Sequence, residues 1–216
     1  RIFLAHHSSD ALEAILPATT LSFVFAGFFQ TAVGYSGVFI SQAYGAGDEK
    51  KCNLAYNAGT ILALLAGVIV LPLVPLGNWL LEYTSSDPQV CALEKTYYSI
   101  ITSGGIFLFL QTVALSYFTG KGRTLVAFVA TALGNVFNIA ADIILIFGAF
   151  GIPAMGMAGA AYATVISLFM QFLFLAVMAK RSGAENFYMP HKEDWRMLRN
   201  ILRYGLPVGL YEVLNM

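Results

Sequence analysis

The run Thr124 to Phe150, TLVAFVATALGNVFNIAADIILIFGAF, decides how this chain is read. As a helix it is long enough to cross a hydrocarbon core of about 30 Å, yet it carries one charged residue, Asp142. Inserting an Asp at mid-span costs about 3 kcal/mol on translocon scales, so such a group persists where it faces a polar cavity or binds a cation. At 100° per residue, Thr131, Asn135, Asn138 and Asp142 fall within an arc of roughly 60°, one polar stripe on an otherwise apolar helix. A stripe of that kind lines something. The structural alternative is a hydrogen-bonded pair of Asp142 with Asn138, four residues away on the same face.

Composition agrees with a membrane setting. The 216 residues are 58% hydrophobic and 11% charged, where soluble domains carry about 25% charged residues. Net charge is zero, so no global field recruits nucleic acid. Spans of about 20 apolar residues are expected at Ala11 to Tyr44, Leu54 to Leu81, Tyr97 to Phe118, Leu125 to Phe150 and Gly156 to Ala179. A sixth begins near Tyr204 and is cut at Met216. The first is too long to lie wholly in the bilayer and is expected to tilt or project.

Alternate connectors hold Lys50, Lys51, Lys121, Arg123, Lys180, Arg181, Lys192, Arg196, Arg199 and Arg203, ten of the twelve Lys and Arg residues. The positive-inside rule makes those connectors cytoplasmic. Cys52 and Cys91 then lie on opposite sides, and no internal disulfide is expected. No cleavable signal peptide is visible; the chain starts in mid-pattern at Arg1 and is expected to lack its true N-terminus. The polar stretch Ser182 to Trp195 reads as a cytoplasmic linker. The expected division is therefore a first membrane unit over residues 1–181, the linker over 182–195, and the start of a second unit over 196–216.

Polar residues recur in the other spans. Thr19, Ser22, Gln30, Gly37 and Ser41 share one face of the first, and Thr164, Ser167 and Gln171 a narrower face of the fifth. Opposed stripes would enclose a cavity, although Ser and Thr are more often interhelical glue. Glu212 lies nine residues past Arg203, roughly 13 Å along a helix, with Tyr211 and Asn215 beside it; it is expected to be a second acid at membrane depth. His6, His7 and His191 are expected to be solvated. Pro17, Pro72, Pro75 and Pro207 are expected to bend their helices, Pro17 being a candidate hinge. No Walker A motif, metal-ligand cluster or activated nucleophile suggests an enzyme.

The order Gln42-Ala43-Tyr44-Gly45-Ala46-Gly47-Asp48, Asn138-Ile-Ala-Ala-Asp142 running into Leu145-Ile146-Phe147-Gly148, then Gly151-Ile152-Pro153-Ala154-Met155-Gly156, Gly159-Ala160-Ala161 with Ala163-Thr164, and Gly205-Leu206-Pro207-Val208-Gly209 resembles the multidrug and toxic compound extrusion (MATE) transporters of the MOP flippase superfamily. The resemblance covers essentially the whole chain. It implies an all-α polytopic fold, the six-helix N-lobe of a twelve-helix two-lobe transporter, with helix 1 mostly missing and helix 7 truncated. It further implies a secondary antiporter, monomeric when full length, in the cell inner membrane or plasma membrane. Cationic amphiphilic drugs or toxins would be exported in exchange for protons or sodium, with no cofactor beyond the coupling ion. Asn138 and Asp142 match an Asn and Asp that bind the ion in one bacterial branch, and Thr164 is the candidate for a helix 6 Thr of that site. Its further Asp, on helix 1, would directly precede Arg1. Glu212 is the counterpart of a helix 7 Glu used by another branch, so the ion stays open. Asn135 and Gln30 complete the expected cavity lining.

A lipid-linked precursor flippase of the same superfamily would share the fold but call for a cationic cavity. A polytopic receptor would show an extracellular disulfide, and a channel a filter or charged ring.

Overall fold

The computed structural model describes residues 9–85, 87–149, 151, 153–184 and 191–215, all helices and short connectors with no strand among them. His6, His7 and Arg1 lie outside the described residues. Helix α1 (Ser9–Gly34) runs through Pro17 and continues across Tyr35 into α2 (Ser36–Gly45). From Glu13 to Gly45 the pair makes an apolar path of 33 residues, about 50 Å at 1.5 Å per residue and longer than the bilayer core. The expected tilt or projection follows. The chain then turns at Gly47, whose φ of 71° suits a residue without a Cβ. Asp48 caps the next helix by accepting from the Lys51 N–H at 3.0 Å.

Helix α3 (Glu49–Val70) and α4 (Leu73–Thr84) occupy the expected span Leu54 to Leu81, which is not continuous. Pro72 has no N–H to continue the ladder, and the helix reforms only at Leu73. On the far side of the break the Tyr98 hydroxyl donates to the Leu73 carbonyl at 2.7 Å, and Gly77 leaves the space that the Tyr98 ring fills. Next come α5 (Pro88–Ser103) and α6 (Gly105–Gly120), bent by 45° at Gly104. This helix begins well before the expected Tyr97, because Asp87 accepts from Gln89 N at 2.7 Å and Pro88 sits at the first helical position.

Helices α7 (Thr124–Phe147) and α8 (Gly156–Arg181) match the expected spans except that α7 ends before Phe150, where Gly148 turns out at φ 78°. They form a tight antiparallel pair. A Cβ on Gly159 would lie 2.5 Å from the Leu145 carbonyl oxygen, and Gly134 is covered by Gln171. Small residues thus let two apolar helices approach backbone to backbone. The last helix, α9 (Lys192–Leu214), starts inside the polar stretch expected to be linker and packs on α1 and α3.

Among the described residues, four helical stretches are long and apolar enough to cross a membrane, and the bent α5–α6 pair makes a fifth. Two apolar clusters hold them together. One centres on Tyr56, Phe109, Val113, Tyr117 and Phe118, the other on Ala11, Ala14, Tyr97, Tyr98, Met157 and Ala161. Cys52 and Cys91, at opposite ends, are buried free thiols.

Candidate functional site

Helix α7 is the least covered of the long helices: Thr131, Asn135, Val136, Phe137 and Ile139 are all exposed, and its packing partner is chiefly α8. On this helix the polar stripe stands as expected. Asn135 is exposed, while Asn138 and Asp142 are half-buried. Thr131 is turned inward on itself, its hydroxyl donating to the Ala127 carbonyl at 3.0 Å.

Asp142 is the unusual member. Its Oδ1 is buried and has no hydrogen-bond partner, and no bond joins it to Asn138 among the described residues. The alternative of a closed Asp142–Asn138 pair therefore fails. A buried acceptor without a donor forfeits about 1–3 kcal/mol, more when charged, so the arrangement suits a carboxyl group that takes its partner from outside the chain.

Thr164 lies across from it. The contacts of Gly159 with Leu145 and of Gly134 with Gln171 set an antiparallel register that puts Thr164 level with Ala140, between Asn138 and Asp142. Its hydroxyl is engaged locally, donating to Ala160 O at 3.0 Å. The other Ser and Thr residues behave alike: Thr19 bonds the Ile15 carbonyl, Ser22 that of Ala18, Ser41 that of Gly37 and Ser167 that of Ala163. Each of these hydroxyls gives its proton to its own helix, where the carbonyl four residues back is within reach.

Two glutamines join helices, as the Asn78–Ser99 pair joins α4 to α5. Gln30 donates to the Thr112 hydroxyl at 3.4 Å, joining α1 to α6, and Gln111 donates to Gln171 Oε1 at 3.2 Å, joining α6 to α8. Gln30 is thus held away from the α7 stripe. Glu212 is exposed near the end of α9, a helix that does not pack on α7, so the structure does not bring the two acids together.

Two polar features escaped the sequence reading. Glu94 is 3% exposed in α5, and its Oε2 has no partner. The Asp87-Pro88 pair, a cap followed by a first-turn proline, was the signal that this helix starts early and carries Glu94 inside it. Asp194, expected in a solvated linker, is 1% exposed and accepts from the Asn57 amide at 3.0 Å and from the His191 N–H at 2.8 Å. His191, Asp194, Leu198 and Ile201 at capping and helical spacing were its signal.

A bundle of helices, several long and apolar enough to cross a membrane, with a polar stripe on one of them has the architecture of a polytopic membrane protein. The chain belongs to the MatE family, whose model matches residues 1–144. It is 32% identical to the probable multidrug resistance protein NorM of Thermotoga maritima over 213 residues, covering 96% of this chain and 45% of that protein. Among solved structures it resembles an outward-facing multidrug resistance MATE transporter, with TM-score 0.76, 26% identity and coverage of 97% of this chain and 46% of the other. It also resembles a MOP superfamily transporter of Pyrococcus furiosus described as having a binding pocket of reverse polarity, with TM-score 0.77, 27% identity and coverage of 97% and 46%. The chain spans about half the length of the relatives it matches.

Proposed function

We propose that this chain is the first lobe, the connecting segment and the opening helix of the second lobe of an ion-coupled exporter of cationic amphiphilic compounds. The observation that carries the reading is Asp142, a carboxylate with a buried, unpartnered oxygen on the polar stripe of the most open long helix. A proton, a sodium ion or a cationic drug can each neutralise it, and competition among them for one charge is antiport. Asn138, one turn away, would share the ion, Thr164 would face it at the same level, and Glu212 would serve the second lobe. One acid and two amides on the stripe, with no cation, favour a cationic substrate over the anionic head group of a lipid-linked precursor.

The test is efflux of a fluorescent cationic dye by the full-length protein in vesicles, under a proton gradient or a sodium gradient alone. Asp142→Asn keeps the size and removes the charge. It is expected to insert normally and to lose gradient-driven efflux by at least about tenfold, which corresponds to 1.4 kcal/mol, with Asn138→Ala less affected. Undiminished gradient dependence in Asp142→Asn would place the coupling site elsewhere, with Glu212 next to be tested. The cationic connectors are proposed to be cytoplasmic. Lys121 is buried, so exposed Arg123 and Tyr83 are the better reporter positions. An impermeant thiol reagent should reach a cysteine at Tyr83, not one at Arg123, from outside the cell.

A further inference from the structure

Helix α9 lies along the rest of the bundle on one face. Asp194, Leu198, Ile201, Gly205 and Gly209 are all buried, a seam of about 22 Å at 1.5 Å per residue. At two points it is as close as backbones permit: a Cβ on Gly205 would lie 2.7 Å from the Ala32 carbonyl oxygen, and one on Gly209 2.7 Å from that of Phe28. Tyr204 stacks on Tyr35 with ring centroids 6.3 Å apart. The seam thus runs from the end nearest the cationic connectors to Gly209.

At the end nearest the cationic connectors a side-chain hydrogen bond joins α9 to the other helices, from Asn57 Nδ2 in α3 to Asp194 Oδ1, with both residues no more than 1% exposed. We propose that Asn57 and Asp194 form a latch that keeps the cytoplasmic end of the lobe boundary closed and must release for the transporter to open inward. The inference rests on the two-lobe exporter reading, and it concerns gating rather than ion coupling.

The chemistry suits a contact that opens. Apart from its interactions the carboxylate would be stranded in a dry seam, a costly state. When the seam opens at the cytoplasmic end, water replaces the lost donors, so release costs only the net value of a hydrogen bond to a charged group. That value corresponds to a population ratio on the order of tenfold or more. The close approach at Gly205 and Gly209 is then the fulcrum nearer the membrane centre.

The test is the distance between spin labels at exposed Lys50 and Arg196 in the full-length protein, with Cys52 and Cys91 replaced by Ser. Wild type is expected to show a dominant short distance and a minor long one. Asn57→Asp faces Asp194 with a like charge and should raise the long population about tenfold. The exchange Asn57→Asp with Asp194→Asn restores one donor and one acceptor and should return the short distance, which a merely damaged fold would not do. An unchanged distribution in Asn57→Asp overturns the latch, and so does a long population that the exchange fails to reverse. A single short distance in protein that is actively exporting dye also overturns it, since the contact would then be permanent. Absence of dye efflux from wild type would instead count against the exporter reading, while the distances still report on the latch.

Discussion

Asp142 and Asp194 are both withdrawn from water, in opposite ways. Asp194 is almost wholly buried and its two oxygens accept from Asn57 and His191. Asp142 is only half-buried, yet one of its oxygens is sealed from solvent with nothing to bond. The difference separates an acid whose partners come from within the chain from one whose partner the chain does not supply. Full burial with donors in place marks a contact between parts of the fold, whereas partial access with a donor missing leaves room for a partner from outside, the role proposed for Asp142.

The comparison is sharpened most by adding the proposed ion. A ligand bound only by the folded protein stabilises it by about 2.7 kcal/mol at a hundredfold excess over its dissociation constant. Thermal melting of the full-length protein in detergent should therefore rise by several degrees with sodium or with acidification, whichever is the coupling ion. Asp142→Asn should melt near the unliganded wild type and lose that response. A response retained by Asp142→Asn breaks the contrast. Asp194→Ala is expected to do the reverse, keeping the response but melting lower by about 1.5–3 kcal/mol, the worth of hydrogen bonds to a charged group. If Asp194→Ala melts like wild type, the fold does not depend on that contact.

The outline of this contrast was legible in the sequence, and its second half was not. The α7 stripe could be read because it needs only helical periodicity and a charge inside an apolar run. The α7 and α8 boundaries followed from Gly and Lys/Arg punctuation. Asp194 could not be separated from the polar residues around it, because burial on α9 depends on Asn57, a residue 137 positions away. Likewise the break at Pro72 was expected only as a bend, since nothing local says whether a proline kinks a helix or ends it. The carbonyl that each serine and threonine takes could not be read either, because periodicity shows where a side chain points and not its partner.

Glu94 is the intermediate case. It is nearly fully buried with one oxygen unpartnered, yet it lies off the stripe, among Tyr97, Tyr98 and the small residues where α1, α5 and α8 meet. Lacking access, it should not exchange an ion. Glu94→Gln keeps the shape, removes any charge and is expected to change stability by about 1 kcal/mol or less, with gradient-driven efflux intact. Loss of coupling in that variant would show that an unpartnered oxygen matters more than access, and the distinction drawn from Asp142 would fall.

The smallest effect concerns a charge buried outside the membrane-spanning segments. Lys121 sits in the turn after α6 with its side chain 4% exposed, its ammonium 2.6 Å from Glu49 and 3.2 Å from the Tyr117 hydroxyl, over the Tyr117 ring at 4.9 Å. Burial pulls its pKa down more than any other single influence, but the hydrogen bonds it donates to Glu49 and Tyr117, together with the charges of those two groups, outweigh it, and the net shift is upward. A cation whose pKa is raised on folding contributes stability that is complete below its ordinary value near 10.5 and is lost as pH rises through the folded value. Glu49 is 61% exposed, so solvent screening limits the pair to about 1 kcal/mol or less. Glu49→Gln should therefore melt lower than wild type at pH 7, by about 1 kcal/mol or less, and the two should converge as pH rises through the Lys121 pKa, where the ammonium that Glu49 holds is lost. Melting curves of wild type and Glu49→Gln that fall in parallel from pH 7 to 11 would mean that Lys121 gains nothing from its acid, leaving the tyrosine face to hold the buried ammonium alone.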